Sequence, residues 1–147
     1  MIPNTLAIHF DGATHPNPGG TPRFGWHIDD DDGNRLAEKC GVHFTNDPAE
    51  RTNNTAEWAG LLSALAWLAC LRNPIDSLRI YGDSQLVIHQ LEGRMKCKKP
   101  HLIRFRDECR QIIKSLDVGH VEAIWIPREK NSQADALAGA SLYSSLL

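Results

Sequence analysis

The sequence predicts an α/β fold: a five-stranded mixed sheet, three antiparallel strands followed by two parallel ones, with helices on both faces. Three observations predict it. Residues before the first long apolar helix alternate polar and apolar side chains with period two, broken by short turn-rich connections. From Ala56 onward, segments of helical spacing alternate with two short strands. Two acids, Asp11 and Asp83, stand beside glycines at strand ends, where open α/β sheets gather their chemistry.

The first strand runs through Leu6-Ala7-Ile8-His9-Phe10-Asp11. Leu6, Ile8 and Phe10 share one face, and Thr5, Ala7, His9 and Asp11 share the other. The segment from His15 to Pro22 is a loop by its proline and glycine content. Phe24, Trp26 and Ile28 alternate with Gly25 and His27 in a second strand. Asp29-Asp30-Asp31-Asp32 reads as a solvated acidic turn before Gly33-Asn34. It returns the chain into a third strand, where Leu36, Glu38, Cys40, Val42 and Phe44 share a face. Short connections make these three a meander.

After a polar loop, the most apolar helix runs from about Ala56 to Leu71. Asn53, Asn54 and Thr55 offer capping oxygens at its start, and Pro74 stops it. A fourth strand spans Leu78 to Asp83, and Ser84 caps a short helix carrying Leu86, Val87, Gln90 and Leu91. A helix from His101 to Leu116 turns Leu102, Phe105, Cys109, Ile112, Ile113 and Leu116 inward. A fifth strand, Val121 to Ile126, precedes a last helix from Ser132 to about Ser144. Right-handed crossovers between the parallel strands place helices on both faces. Trp58 and Trp67 read as core, and so do Trp26 and Trp125.

The length of 147 residues suits one domain with a sizeable core. Met1-Ile2-Pro3-Asn4 leads into a strand without a cationic leader, and the apolar run from Trp58 to Leu71 is too short to span a bilayer. Cys40, Cys70, Cys97 and Cys109 form no CxxC pair and read as reduced thiols of a cytoplasmic protein. The net charge of −2 does not announce a nucleic-acid binder, but its distribution is uneven. Arg94, Lys96, Lys98, Lys99, Arg104 and Arg106 follow one another with no acid between them. Such a run in an acidic chain is either a solvated loop or a contact for phosphates, and the second reading is favoured.

Four acids carry the chemistry. Asp11 ends a core strand. Glu57 is the only charge between Ala56 and Leu71, and helical spacing puts it on a face with Leu61, Ala64, Leu65 and Leu68. An inward carboxylate without a partner is costly, and a cation removes that cost. Asp83 and Asp135 open helices, where an acid also suits the helix dipole. Each is a weak signal alone. Together they fit a site for hard divalent cations, which prefer carboxylate oxygen.

Asp11-Gly12-Ala13, Asn53-Asn54-Thr55-Ala56-Glu57, Gly82-Asp83-Ser84-Gln85-Leu86-Val87 and the Asn131, Ala134, Asp135, Leu137, Ala138 pattern resemble the type 1 ribonuclease H (ribonuclease HI) family. The resemblance covers residues 6–142, in the family's motif order. It implies the ribonuclease H-like fold over 1–147 as a single domain. It also implies hydrolysis of the RNA strand of RNA–DNA hybrids, leaving 5′-phosphate and 3′-hydroxyl ends. By similarity, two Mg²⁺ ions, with Mn²⁺ as a substitute, would serve catalysis. Asp11 would bridge both; Asp83 would hold one with Asp11, and Glu57 and Asp135 would complete the shell of the other. Asn17, Thr52, Asn53, Asn54 and Gln85 match positions that contact 2′-hydroxyls and phosphates in the family, though Asn17 and Asn53 equally suit turns and caps. Lys96, Lys98 and Lys99 lie where some members carry a longer basic protrusion. The implied partner is the hybrid itself, bound by a monomer with no membrane and no obligate protein partner.

One departure stands out. Many relatives carry a histidine in the loop before the last helix, whereas Pro127-Arg128-Glu129-Lys130-Asn131 has none, and His120 comes too early. Arg128 is the residue assigned to assist here, with Glu129 read as a solvated loop acid. Two other functions compete: a hybrid-binding module without catalysis, against which all four acids speak, and another nuclease or transposase of the same fold.

Overall fold

Residues 5–144 are described by the computed structural model. Alternation sets the first strand, β1 (Thr5–His15), which continues past Asp11. It pairs antiparallel with β2 (Thr21–Asp30), which pairs antiparallel with β3 (Arg35–Val42). Then come α1 (Asn53–Leu71), β4 (Ile75–Gly82), α2 (Gln85–Glu92), α3 (Pro100–Ser115), β5 (Val118–Trp125) and α4 (Ser132–Ser144). β4 and β5 add in parallel, giving the sheet order β3-β2-β1-β4-β5. The five-stranded mixed sheet with helices on both faces is therefore the architecture expected from the sequence.

The two faces of β1 divide the molecule. Ile8 and Phe10 sit opposite Ile28 and Trp26, and with Leu78 and Ile80 of β4 they make the sheet side of the main core. α1 lies on this face, with α3 packed against it. That sandwich explains why α1 is apolar nearly all round: Trp58, Leu61, Ala64, Leu65 and Leu68 are all buried. Each such large side chain contributes about 1.5–3 kcal/mol relative to exposure. α4 covers the opposite face over β1 and β2.

Several expectations change. The N-cap of α1 is Thr52, not a residue from Asn53 to Thr55: its hydroxyl accepts from Thr55 N at 3.3 Å, reaching the free amide of the first turn. β3 is an edge strand and ends at Val42, so Phe44 lies outside it and is 87 % exposed. Its core-facing residue is Ala37, opposite Ile28, whereas Glu38 and Cys40 lie opposite His27 and Gly25 on the α4 face. A register irregularity between Ile28 and Asp29 leaves Leu36 at the open edge. In α2, Ile88 is buried and Leu86 only half-buried. Asp29 is no turn residue: it belongs to β2 and is held by His27 and Arg35. Trp125 is 41 % exposed rather than core, because it ends β5 at the sheet's rim. Among the described residues, no helix is long and apolar enough to cross a membrane.

Candidate active site

The acids meet because backbones touch. Gly12 packs directly on the first turns of α1: a Cβ there would lie 2.3 Å from the Ala56 carbonyl carbon and 2.4 Å from Glu57 N. No side chain fits, so β1 and α1 close until Asp11 and Glu57 are neighbours. Gly25 does the same for α4, where a Cβ would lie 2.4 Å from Ala138 N, and that seats the helix carrying Asp135. Asp83 follows the last residue of β4, the strand parallel to β1.

Asp11, Glu57 and Asp83 each offer a carboxylate oxygen within 4.8 Å of the others. Asp135 stands at the edge of the same cleft, of about 190 Å³, and its side chain is 44 % exposed. Asp11 and Glu57 are buried, at 5 % and 7 % exposure. Asp11 Oδ1 accepts from Gly12 N at 2.9 Å, but Glu57 Oε2 is buried with no hydrogen-bond partner.

Electrostatics follow from this crowding. Burial, then the charge of Asp83, pushes Asp11 up to about 7. Burial, with the charges of Asp11 and Asp83, holds Glu57 well above the usual carboxylate range. Burial also raises Asp83, opposed by a hydrogen bond from Asn131 and the charge of Arg128. Buried acids that repel one another and leave an oxygen without a donor are suited to a cation, and an all-carboxylate set selects a hard one such as Mg²⁺ or Mn²⁺. The residues fit the group.

A frame of hydrogen bonds fixes Asp83. Ile126 N donates to Gly82 O at 3.0 Å, and Trp125 Nε1 donates to Asp83 O at 3.0 Å. Asn131, buried, donates to Phe10 O at 2.9 Å and ties the entry of α4 to β1. Arg128 begins a single 3₁₀ turn, Arg128–Lys130, and places Nη2 3.6 Å from Asp135 Oδ1.

The other sequence-selected residues separate into two groups. Thr52, Asn53 and Asn17 come together: Asn53 N donates to Asn17 Oδ1 at 3.2 Å, and Asn53 Oδ1 accepts from Thr14 N at 2.7 Å. Asn54 lies in the first turn of α1, and Gln85 is the exposed first residue of α2. Lys96, Lys98 and Lys99 are exposed and form no ion pair among the described residues. Arg94, Arg104 and Arg106, by contrast, pair with Glu92, Glu50 and Asp107. Only half of the basic run thus has its charge unpaired. Sequence reasoning missed His15, and it used Asn131 only as a motif residue without giving it a role. His15 lines the cleft beside Asn53 and the acids; its signal is an imidazole four residues past Asp11, where the strand ends.

Residues 9–141 match the family described as reverse transcriptase-like. The chain is 36% identical over 134 residues to ribonuclease HI of Halobacterium salinarum, covering 91% of this chain and 62% of that protein. The crystal structure of RNase H1 from that archaeon superposes with a TM-score of 0.82 at 34% identity, over 95% of this chain and 98% of the other. The chain belongs to the type 1 ribonuclease H family. LC11-RNase H1, solved in complex with RNA/DNA hybrid, gives a TM-score of 0.85 at 29% identity, over 97% of this chain and 99% of that one. The chain spans about three-fifths of the full archaeal protein and 35% of a bifunctional Mycobacterium tuberculosis protein, to which it is 29% identical over 139 residues and 93% of its own length.

Mg²⁺ should therefore stabilise this ribonuclease H family member in a pH-dependent way. A carboxylate whose folded pKa is raised destabilises the fold once pH exceeds its unfolded value. Metal-free stability should fall as pH rises from about 4 through about 7. Added Mg²⁺ should restore it only where the acids have lost their protons. Melting with Mg²⁺ and with EDTA should give curves that merge at acid pH and separate toward pH 8, by about 5 °C. Equal separation at all pH values would reject the repulsive acid cluster.

Proposed function

We propose that this chain, as a single ribonuclease H domain over residues 1–147, is an endonuclease that hydrolyses the RNA strand of RNA–DNA hybrids by two-metal-ion catalysis. The products carry 5′-phosphate and 3′-hydroxyl ends. The observation that carries the reading is the convergence of Asp11, Glu57 and Asp83 in one cleft with Asp135 at its edge. These four would hold the Mg²⁺ ions, with Mn²⁺ as a substitute. When bound, the ions supply a Lewis acid and a lowered water pKa at the cleft.

The remaining residues bind and orient. Gly12 N holds the Asp11 carboxylate, and Asn131 ties the entry of α4 to β1 beside Asp83. Asn17, Thr52, Asn53 and Asn54 gather at the start of α1 beside the cleft, with amides that both donate to and accept from a 2′-hydroxyl and a hydroxyl that can hold a phosphate oxygen. Gln85 offers the same chemistry from α2, next to Asp83. Arg128 supplies a fixed positive charge over the acids. Such a surface reads the shallow groove of a hybrid by its sugar hydroxyls rather than its bases.

Incubating the protein with labelled hybrid, duplex RNA and duplex DNA tests the assignment. Mg²⁺-dependent cleavage of the RNA strand of the hybrid alone, lost in EDTA, is expected. Binding without cleavage would favour a hybrid-binding module, and equal cleavage of duplex DNA would favour another nuclease of the fold.

The three lysines give a second expectation. Replacing Lys96, Lys98 and Lys99 together with Gln should raise KM more than it lowers kcat. Each lost phosphate contact should flatten the salt dependence of binding by about 0.7–0.9 log unit per log salt. An unchanged slope would make the segment a solvated loop.

A further inference from the structure

The sheet face that carries α4 holds a second cluster of metal-ligating side chains, which the acid cleft does not use. His27, His9 and Tyr81 stand in register on β2, β1 and β4. The His9 ring stacks on His27 with centroids 4.7 Å apart and planes 9° apart, and on Tyr81 at 4.7 Å and 17°. Asp29 lies two residues beyond His27 on the same strand face. Its Oδ2 accepts from His27 Nδ1 at 2.8 Å, and its Oδ1 accepts from Arg35 Nε at 2.5 Å. One nitrogen of each imidazole and one Asp29 oxygen lie within 4.8 Å of one another.

A purely structural stack does not account for the whole arrangement. His9 Nδ1 is buried and has no hydrogen-bond partner. Buried polar atoms are nearly always paired, and an apolar side chain at that position would avoid the cost. His27, 4 % exposed, is already oriented by a carboxylate, which Arg35 in turn anchors. A carboxylate that orients an imidazole, itself held by a further group, is how proteins fix ligating histidines. The cluster is also reachable: His9 and Asp29 line a surface pocket of about 320 Å³.

We propose that His9 and His27, with Asp29 as the carboxylate that orients His27, form a binding site for a borderline transition-metal ion of the Zn²⁺, Co²⁺ or Ni²⁺ class, chemically distinct from the carboxylate cleft. Imidazole nitrogens favour these ions over Mg²⁺, whereas the all-oxygen cleft favours Mg²⁺. His9 and His27 are direct cross-strand neighbours whose rings lie nearly parallel, so binding one ion through both requires the rings to swing out of the stack until their in-plane nitrogens converge. His9 also precedes Asp11 by two residues on the same face of β1. The ion would therefore lie roughly 7 Å along the strand from the acid cleft, close enough for its charge to be felt there.

The test is a Co²⁺ titration followed by visible absorption, with excess Mg²⁺ present to fill the carboxylate cleft. Wild-type protein should develop ligand-field bands that saturate at one equivalent and vanish on adding Zn²⁺. His9→Phe keeps a stacking ring and removes the donor; it should bind Co²⁺ at least tenfold more weakly. Asp83→Asn should keep the bands. On the unaltered protein, one equivalent of Zn²⁺ should shift the imidazole NMR signals of His9 and His27 and leave those of His15 and His120 in place. That arm decides the matter without any variant. Absence of bands in wild type, unchanged bands in His9→Phe, their loss in Asp83→Asn, or a Zn²⁺ shift at His15 instead would each overturn the site.

Discussion

Asp11→Asn and Asp83→Asn are each expected to abolish Mg²⁺-dependent hybrid cleavage while making the metal-free protein more stable at neutral pH. The two effects have one cause. Asp11 is buried, and burial together with the Asp83 charge lifts it to about 7. Asparagine keeps the shape, and its oxygen can still accept from Gly12 N. It removes the charge that Glu57 and Asp83 repel and the cost of desolvating it. The shift from 3.8 to about 7 sets an upper bound of about 4 kcal/mol for the gain, and coupling among the acids makes the measured gain smaller. The sign requires that the gain be present above pH 7 and absent below about pH 4, where the wild-type carboxyl is protonated in both states. Activity should fall by a thousandfold or more, beyond the roughly hundred- to thousandfold seen when one group facing developing charge is removed. Hybrid cleavage and thermal melts of the same preparations measure both. Near-normal cleavage in either variant would remove that residue from the site.

Asp11 and Glu57 were legible from their local context, whereas Asp83 and Asp135, which suit helix starts, gained meaning only together with them. Asp11 interrupts a strand whose neighbours alternate cleanly, and Glu57 is the lone charge on an otherwise apolar face. Burial at 5 % and 7 % exposure confirms what those contexts imply. The misreadings come from places where neighbours in space, not in sequence, decide. Thr55 and Thr52 are chemically equal caps, and only the extended backbone of Thr52 selects it. Asp29 sits in a run of four aspartates and looks solvated. A β-irregularity beside Ile28 and the arrival of Arg35 from β3 place it in the sheet instead. Trp125 is apolar enough for a core, yet β5 is an edge strand and its last residue meets solvent. The basic run reads as six equal cations, and three of them are matched by acids at neighbouring positions or in the loop before α1.

Arg128→Ala is the second large effect expected, a loss of kcat of about tenfold to a hundredfold. Arg128 follows Pro127 directly, and the 3₁₀ turn it begins leads into α4 through Asn131, whose side chain is tied to β1. The guanidinium thus hangs over the cleft, 79 % exposed, with Nη2 3.6 Å from Asp135 Oδ1. So exposed a pair adds little to stability, so the variant should fold as well as wild type. Its value lies in a donor fork that can hold the scissile or departing phosphate through paired hydrogen bonds. One such charge-assisted contact is worth about 1.5–3 kcal/mol, which sets the rate loss. Lysine carries the charge without the fork, so Arg128→Lys should recover part of the loss. An arginine does not titrate near neutrality, so the pH–rate profile should keep its shape in both variants. Glu129, exposed on the same turn, and His15, across the cleft, are the nearby groups that could move a proton instead. Measuring kcat from about pH 6 to 10 for the Arg128 variants, Glu129→Ala and His15→Ala separates these roles. If Arg128→Ala is fully active while Glu129→Ala or His15→Ala is crippled and loses an ionisation, the proton carrier is that residue and Arg128 has no part in the step.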